Sequence, residues 1–282
     1  LQASATIIDY KTGQVKVLIG GRGNQPSASL NRAYFDLKSI GSTTKPLTVY
    51  GPAIDTKLIT AGTPLDDTSV SEEILEKYNF GSVVPKNADG SMFGYITARE
   101  ALTYSKNLTS IKTVDMLGLD TALNYGKKAG LKYAPQSHTM SALALGQFDQ
   151  PIGNRDGGNT TILASAYGAF GNNGVIYEPA LYTKVEDASG NLLLEKEPIS
   201  TKLFSPQTSY IIYDILKGSS TSAQFNDIPV AGKTGTTNSS DNFWFAGLTP
   251  YYSGSVWIGY DNPQRMNGRS SSAASLFSKI MA

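Results

Sequence analysis

Strand-like runs at both ends of the chain, with capped helices between them, predict an α/β fold of the α+β kind: one sheet built from the two termini around an inserted helical subdomain. The first run, "SATIIDYKTGQVKVLIGG" at 4–21, is two apolar stretches joined by a polar turn with glycine, the pattern of a hairpin at a sheet edge. The second, "NFWFAGLTPYYSGSVWIGYD" at 242–261, reads as an aromatic-rich hairpin broken at Pro250 and Gly254. The signals between them are helical. "TARE" at 97–100 is a capping box, Asp120 and Asn159 read as N-caps, and Ser205-Pro206 places a cap and an N1 proline before "QTSYIIYDILK", which stops at Gly218. Residues 61–95, rich in Gly, Asp, Ser and Pro, read as a long surface connection.

Composition narrows the chemistry. At 282 residues and 40% hydrophobic content the chain can bury a large core. Its 24 basic and 23 acidic residues leave a net charge of +1 with no basic block, which argues against nucleic acid as a partner. There is no cysteine, hence no disulfide framework, thiol nucleophile or thiolate metal site. The lone His138 cannot build a multi-imidazole cluster, so neither a catalytic metal nor any other cofactor is expected. The chain opens on Leu1 and holds no run of about eighteen apolar residues. We read it as one domain, 1–282, cut from a longer protein.

"GSTTKP" at 41–46 sets Ser42 and Lys45 three apart, on one face if the segment is helical. Pro46 lacks an N–H and fits only a first turn, which would leave Ser42 at a helix N-terminus, where unpaired N–H groups stabilise developing negative charge. Serine is a weak nucleophile alone, and lysine can take its proton only if burial or a second cation keeps that lysine neutral. No other serine in the chain has lysine three positions on. A serine and an amide two apart would supply a proton relay and a substrate clamp. The pattern occurs at Ser29, Ser105, Ser189 and Ser240, and Ser105 with Asn107 is favoured because a loop after the capped helix could present both to a cleft. Lys-Thr-Gly occurs twice, at 11–13 in the first hairpin turn and at 233–235 in "AGKTGTTNSS". The second copy follows the apolar "IPVA" and adds Thr236, so we assign it, and not the first, to the cleft.

Ser-x-x-Lys, Ser-x-Asn and Lys-Thr-Gly in this order form the signature of penicillin-binding proteins and serine β-lactamases. With "NADGSMFGYITAREALTYSKN", "LALGQF", "ASAYGAFGNNGVIYEPA" and "AGKTGTTNSSDNFWFAGLTP", the chain resembles the transpeptidase domain of bifunctional penicillin-binding proteins over most of its length. The resemblance implies a five-stranded antiparallel sheet flanked by helices, and acyl transfer on the D-alanyl-D-alanine end of peptidoglycan stem peptides. It implies Ser42 as the acylated nucleophile, Lys45 as its base, and Ser105 as the relay to the departing D-alanine. Asn107 would hold the substrate amide, Lys233 supply positive potential, Thr234 and Thr236 bond the substrate carboxylate, and the N–H groups of Ser42 and Thr236 form an oxyanion hole. Gly235 is expected to leave room for a ligand lying on the strand. The partners implied are a D-Ala-D-Ala donor, an amine acceptor and β-lactams. Division or elongation machinery would act through regions outside this chain, whose parent is expected on the extracytoplasmic face of a bacterial membrane, anchored elsewhere.

Where the family often has Gly-Thr-Gly before the third motif, this chain has "GSSTSAQFNDIP", which leaves that rim open. Rival readings are weaker. A phosphate-binding loop ending in "AGKT" would need glycine where Asp227 stands, and a helix after Thr234. A β-lactamase needs a carboxylate to activate water, and between Ser105 and Gln147 the only ones are Asp115 and Asp120. A D,D-carboxypeptidase and a non-enzymatic β-lactam sensor share the three motifs and stay as alternatives.

Overall fold

The computed structural model describes residues 1–282 except 25, 27, 149–155, 220–222 and 225–227. The N-terminal hairpin is β1 (Gln2–Asp9) and β2 (Gln14–Ile19). Next comes a helical rod that changes pitch, from a 3-10 turn (Gly41–Thr44) through a π stretch (Pro46–Tyr50) to α1 (Gly51–Asp55). Then follow β3 (Pro64–Asp67), α2 (Glu72–Lys77), β4 (Gly94–Thr97), α3 (Ala98–Thr103), α4 (Asn107–Leu117), α5 (Leu119–Lys128), α6 (Met140–Leu145) and α7 (Thr160–Gly168). Strands β5 (Val175–Tyr177), β6 (Lys184–Glu186), β7 (Leu192–Glu195) and β8 (Ser200–Lys202) pair as β5 with β8 and β6 with β7. The chain ends with α8 (Pro206–Ser219), β9 (Ala231–Thr236), β10 (Asn242–Leu248), β11 (Ser253–Gly259) and α9 (Ser271–Met281).

The main sheet has the order β2-β1-β11-β10-β9, antiparallel throughout, so strands from the two termini meet where β1 pairs with β11. Successive side chains on a strand point to opposite faces. On β10 this sends Trp244, Ala246 and Leu248 into the large core shared with the helical lobe, and Phe245 into a smaller one with Ala5, Ile7 and Val256 under Ala273, Ala274 and Phe277 of α9. Both faces being covered is why β10 reads as one apolar run and not as an alternation. Truncating the buried Phe277, whose ring lies 4.8 Å from that of Phe245, should cost about 3–5 kcal/mol.

Local signals behaved unevenly. Thr97 and Glu100 form the expected reciprocal cap, Asn159 Oδ1 accepts from Ile162 N at 2.9 Å, and Ser205 Oγ accepts from Thr208 N at 3.2 Å. Asp120, expected as an N-cap, lies inside the first turn of α5, whose cap is Gly118, and α8 continues one residue past Gly218. Gly254 is not a turn but sits within β11, where a Cβ would lie 2.4 Å from Ile7 Cδ1 and 3.0 Å from Phe277 Cε2. The turn between β10 and β11 is at Pro250, as expected. Residues 61–95 are more than a surface connection: they carry β3, α2 and part of β4, and they bury Asp67 and Asn87.

Candidate active site

Ser42 is the second residue of the 3-10 turn, half-buried and open to a cleft of about 510 Å³. The turn is tied down from several sides. Gly146 O accepts from both Ile40 N and Gly41 N at 3.1 Å, Tyr167 OH donates to Thr43 O at 2.8 Å, and Trp244 Nε1 donates to Ser39 O at 2.9 Å. Gly41 has φ +55, and a Cβ on it would lie 2.5 Å from Thr236 O and 2.8 Å from Thr236 N. The backbone of β9 therefore lies directly against the turn that carries Ser42. Among the described residues β9 is an edge strand of the main sheet, paired with β10.

Lys45 is wholly buried one turn along the rod. Its Nζ donates to Ser105 O at 2.7 Å, Asn107 Oδ1 at 2.8 Å and Lys106 O at 3.1 Å, with Ser105 Oγ at 3.5 Å. Burial drives its pKa well below the usual lysine range, the charge of Lys233 pushes the same way, and Asp67 opposes them. The three acceptors match the three N–H bonds of an ammonium; the neutral amine keeps two of them and frees a lone pair. Lys233, also buried, is brought down to about 8 by desolvation, so near neutral pH it still holds most of its charge. Ser105 and Asn107 face the cleft from the sharp turn between α3 and α4, where Ser105 adopts φ +59, a left-handed conformation costly for a residue with a Cβ.

The first and second motifs and the threonines of the third thus meet in one place. Ser42, Ser105, Asn107, Thr234 and Thr236 line the cleft, while Lys45 and Lys233 stand behind its surface. Two expectations change in detail. Asn107 spends its amide internally, Oδ1 on Lys45 and Nδ2 on Lys86 O at 2.9 Å. Gly235 is buried, and its missing Cβ makes room not for a ligand but for the protein: a Cβ would lie 2.4 Å from Ile40 O and 2.9 Å from Thr43 Cγ2. The other Lys-Thr-Gly is a hairpin turn, with Gly13 at φ +80 donating to Asp9 O at 2.8 Å. Of the remaining Ser-x-Asn pairs, Ser29 and Ser189 are exposed in loops, and Ser240 reaches the cleft rim while Asn242 turns inward to accept from Trp257 Nε1 at 2.8 Å. The phosphate-loop reading fails on conformation, because Thr234 to Thr236 continue in strand. Half of the rim segment "GSSTSAQFNDIP", including Asp227, lies outside the described residues.

Sequence reasoning missed a wall of the site. Lys86, Asn87, Ala88 and Asp89 line the cleft, and Asn87 Oδ1 accepts from Asn107 N at 2.7 Å and Leu108 N at 3.2 Å. Gln147, from "LALGQF", closes the other side by accepting from Asn238 N at 3.2 Å. The Asn-Ala-Asp-Gly turn and the Gly-Gln pair were visible as letters but carried no local clue to what they face.

The sequence matches the penicillin binding protein transpeptidase domain family across residues 3–282. The chain belongs to that family. It is 55% identical to penicillin-binding protein 1A of Clostridium perfringens strain 13, over all of this chain and 42% of that protein. It is 34% identical to penicillin-binding protein 1A/1B of Bacillus subtilis, over 92% of this chain and 29% of that protein. The chain thus spans less than half the length of these curated relatives. The penicillin-binding transpeptidase fold is shared with penicillin-binding protein 1A of Haemophilus influenzae, at TM-score 0.79 and 20% identity over 99% of this chain and 47% of that one. The imipenem acyl-enzyme complex of penicillin-binding protein A from Mycobacterium tuberculosis is equally similar in fold, at TM-score 0.79 and 16% identity over 99% of this chain and 72% of that one. The five-stranded antiparallel sheet flanked by helices is as the resemblance implied. Among the described residues, no helix of this penicillin-binding domain is long and apolar enough to cross a membrane.

Proposed function

We propose that residues 1–282 form the D,D-transpeptidase domain of a longer, membrane-anchored peptidoglycan synthase, working on the extracytoplasmic face. The observation that carries this reading is the convergence on Lys45: a wholly buried amine that touches the second motif through Ser105 O and Asn107 Oδ1, and lies within the field of Lys233 from the third.

In this reading Ser42 Oγ attacks the carbonyl carbon of the penultimate D-alanine and its proton passes to Lys45 Nζ. The C–N bond to the terminal D-alanine then breaks, with a proton delivered to the leaving nitrogen through Ser105 Oγ. An acceptor amine attacks the resulting ester, gives up a proton, and Ser42 leaves with one. Burial and Lys233 keep Lys45 fit to act as a base, since desolvation and a neighbouring cation both disfavour the ammonium. Thr234 and Thr236 bond the substrate carboxylate in the field of Lys233, and the N–H groups of Ser42 and Thr236 receive the oxyanion, a contribution of about 3–4 kcal/mol per donor in comparable sites. A β-lactam, as a strained acyl donor, would acylate Ser42 by the same steps. Hydrolysis of that adduct lacks support from the cleft. Among the described residues its only carboxylate is Asp89, which Ser91 and Lys106 already engage, and Asp115 is tied to Lys77 and Tyr78.

The test is incubation with a stem peptide ending in D-Ala-D-Ala, with and without an acceptor amine. Released D-alanine together with the new amide is expected. Hydrolysis alone, whatever the amine concentration, would make the domain a carboxypeptidase, and penicillin labelling without any turnover would make it a sensor.

A further inference from the structure

The middle residue of Ser-Lys-Asn has a part of its own. Lys106 is 1% exposed and its ammonium is held on every side: Ser91 Oγ at 2.6 Å, Asp89 Oδ2 at 3.2 Å, Asp67 Oδ2 at 3.6 Å, and the ring of Phe93 at 3.6 Å. Asp67 is fully buried and fixed in turn, accepting from Asn87 Nδ2 at 2.7 Å and Phe93 N at 3.0 Å. The carbonyl of Lys106 accepts from Lys45 Nζ at 3.1 Å. One residue therefore joins a buried carboxylate to the base of the proposed reaction, next to a serine held in a left-handed conformation.

We propose that Lys106 is a positioning residue for acyl transfer: its ammonium, locked between Asp67 and Asp89, holds the 105–106 carbonyls against Lys45 and neutralises a buried carboxylate whose field reaches that amine. This rests on Lys45 being the base. The charged groups bearing on Lys45 are Lys233 from β9 and Asp67 from β3; Lys106, from the α3–α4 turn, lies against Asp67, with Asp89 beyond it. The titratable Tyr50 on its own rod is kept neutral by burial. With Lys106 charged, Asp67 is balanced. Without it, Asp67 is an uncompensated buried anion that favours protonated Lys45. Without Asp67, Lys106 is an unbalanced cation that disfavours it.

The two substitutions should therefore move the acid limb of the acylation profile in opposite directions, which loss of packing alone would not do. Rates of fluorescent-penicillin acylation are measured against pH for the wild type, Lys106→Met, Asp67→Asn and the double variant, with Ser42→Ala alongside. Methionine keeps an apolar stem of similar size. Lys106→Met is expected to move the acid limb up by about one pH unit or more, Asp67→Asn to move it down, and the double variant to return it to near the wild-type position. Should Lys106→Met fail to fold, the direction of the Asp67→Asn shift decides alone. A limb that stays put in these variants, whatever happens to the absolute rate, overturns the inference while leaving the base assignment intact. Undiminished labelling of Ser42→Ala would instead overturn the underlying reading of the site.

Discussion

Replacing Gly235 by alanine separates two accounts of the third motif. The added Cβ would lie 2.4 Å from Ile40 O, 2.9 Å from Thr43 Cγ2 and 3.1 Å from Trp244 Cβ. The first of these is backbone, at the entry to the turn that carries Ser42, and it already accepts from Thr43 Oγ1 at 2.8 Å. It cannot swing aside as a flexible side chain would, so β9 and the 3-10 turn must move apart by about 1 Å to restore ordinary contact. Overpacking of this kind costs about 1–3 kcal/mol. Taking about 2 kcal/mol for a chain of this size, Tm should fall by about 3–4 °C. The same displacement pulls Thr236 away from Ser42, and a misplacement near 1 Å can slow a reaction by about a hundredfold. Thermal unfolding and the rate of penicillin acylation, measured on one preparation, read the two effects. A loss in both is expected. Slowed acylation with Tm within about 1 °C of wild type would show that the glycine makes room for ligand after all, and no change in either would refute the packing described above.

Two further outcomes are expected. Lys233→Ala should slow acylation by about a hundredfold or more, because in the proposed reaction that buried cation acts on the substrate carboxylate, whereas Lys11→Ala, in an exposed turn, should stay close to wild type in acylation and within about 0.5 kcal/mol in stability; rates for the two variants side by side check this. Lys45, its pKa lowered by burial and by Lys233, is deprotonated above that value and protonated below it, so acylation should fall as pH drops through it, and Lys45→Arg should be nearly inactive because guanidinium does not deprotonate; a pH–rate profile and a single-point rate for the variant measure both.

Features specified by short range were readable in the sequence. The Thr97–Glu100 box, the Asn159 cap and the Asp9–Gln14 turn are set by residues within five positions of one another, and the chemistry of their side chains names the structure. So were Ser42 and Lys45, which share a turn. Gly254 was misread because a glycine between Ser253 and Ser255 looks the same whether it breaks a strand or lets other elements approach it, and the neighbours that decide, Ile7 and Phe277, are far along the chain. The same limit hid the wall at 86–89 and the pairing of Lys106 with Asp67, where partners distant in sequence meet only in the fold. For Gly235 the expected reason, room for a ligand, is replaced by the direction of its absent Cβ, which points at Ile40 and Thr43.

The central claim is that Ser42 is the residue acylated, and mass mapping of the protein after exposure to penicillin tests it most directly. The wild type should gain one penicilloyl group that persists for minutes or longer, located on the peptide containing Ser42, and Ser42→Ala should gain none while unfolding at a similar temperature. Label on another residue, or on a folded Ser42→Ala variant at an undiminished rate, would contradict the account.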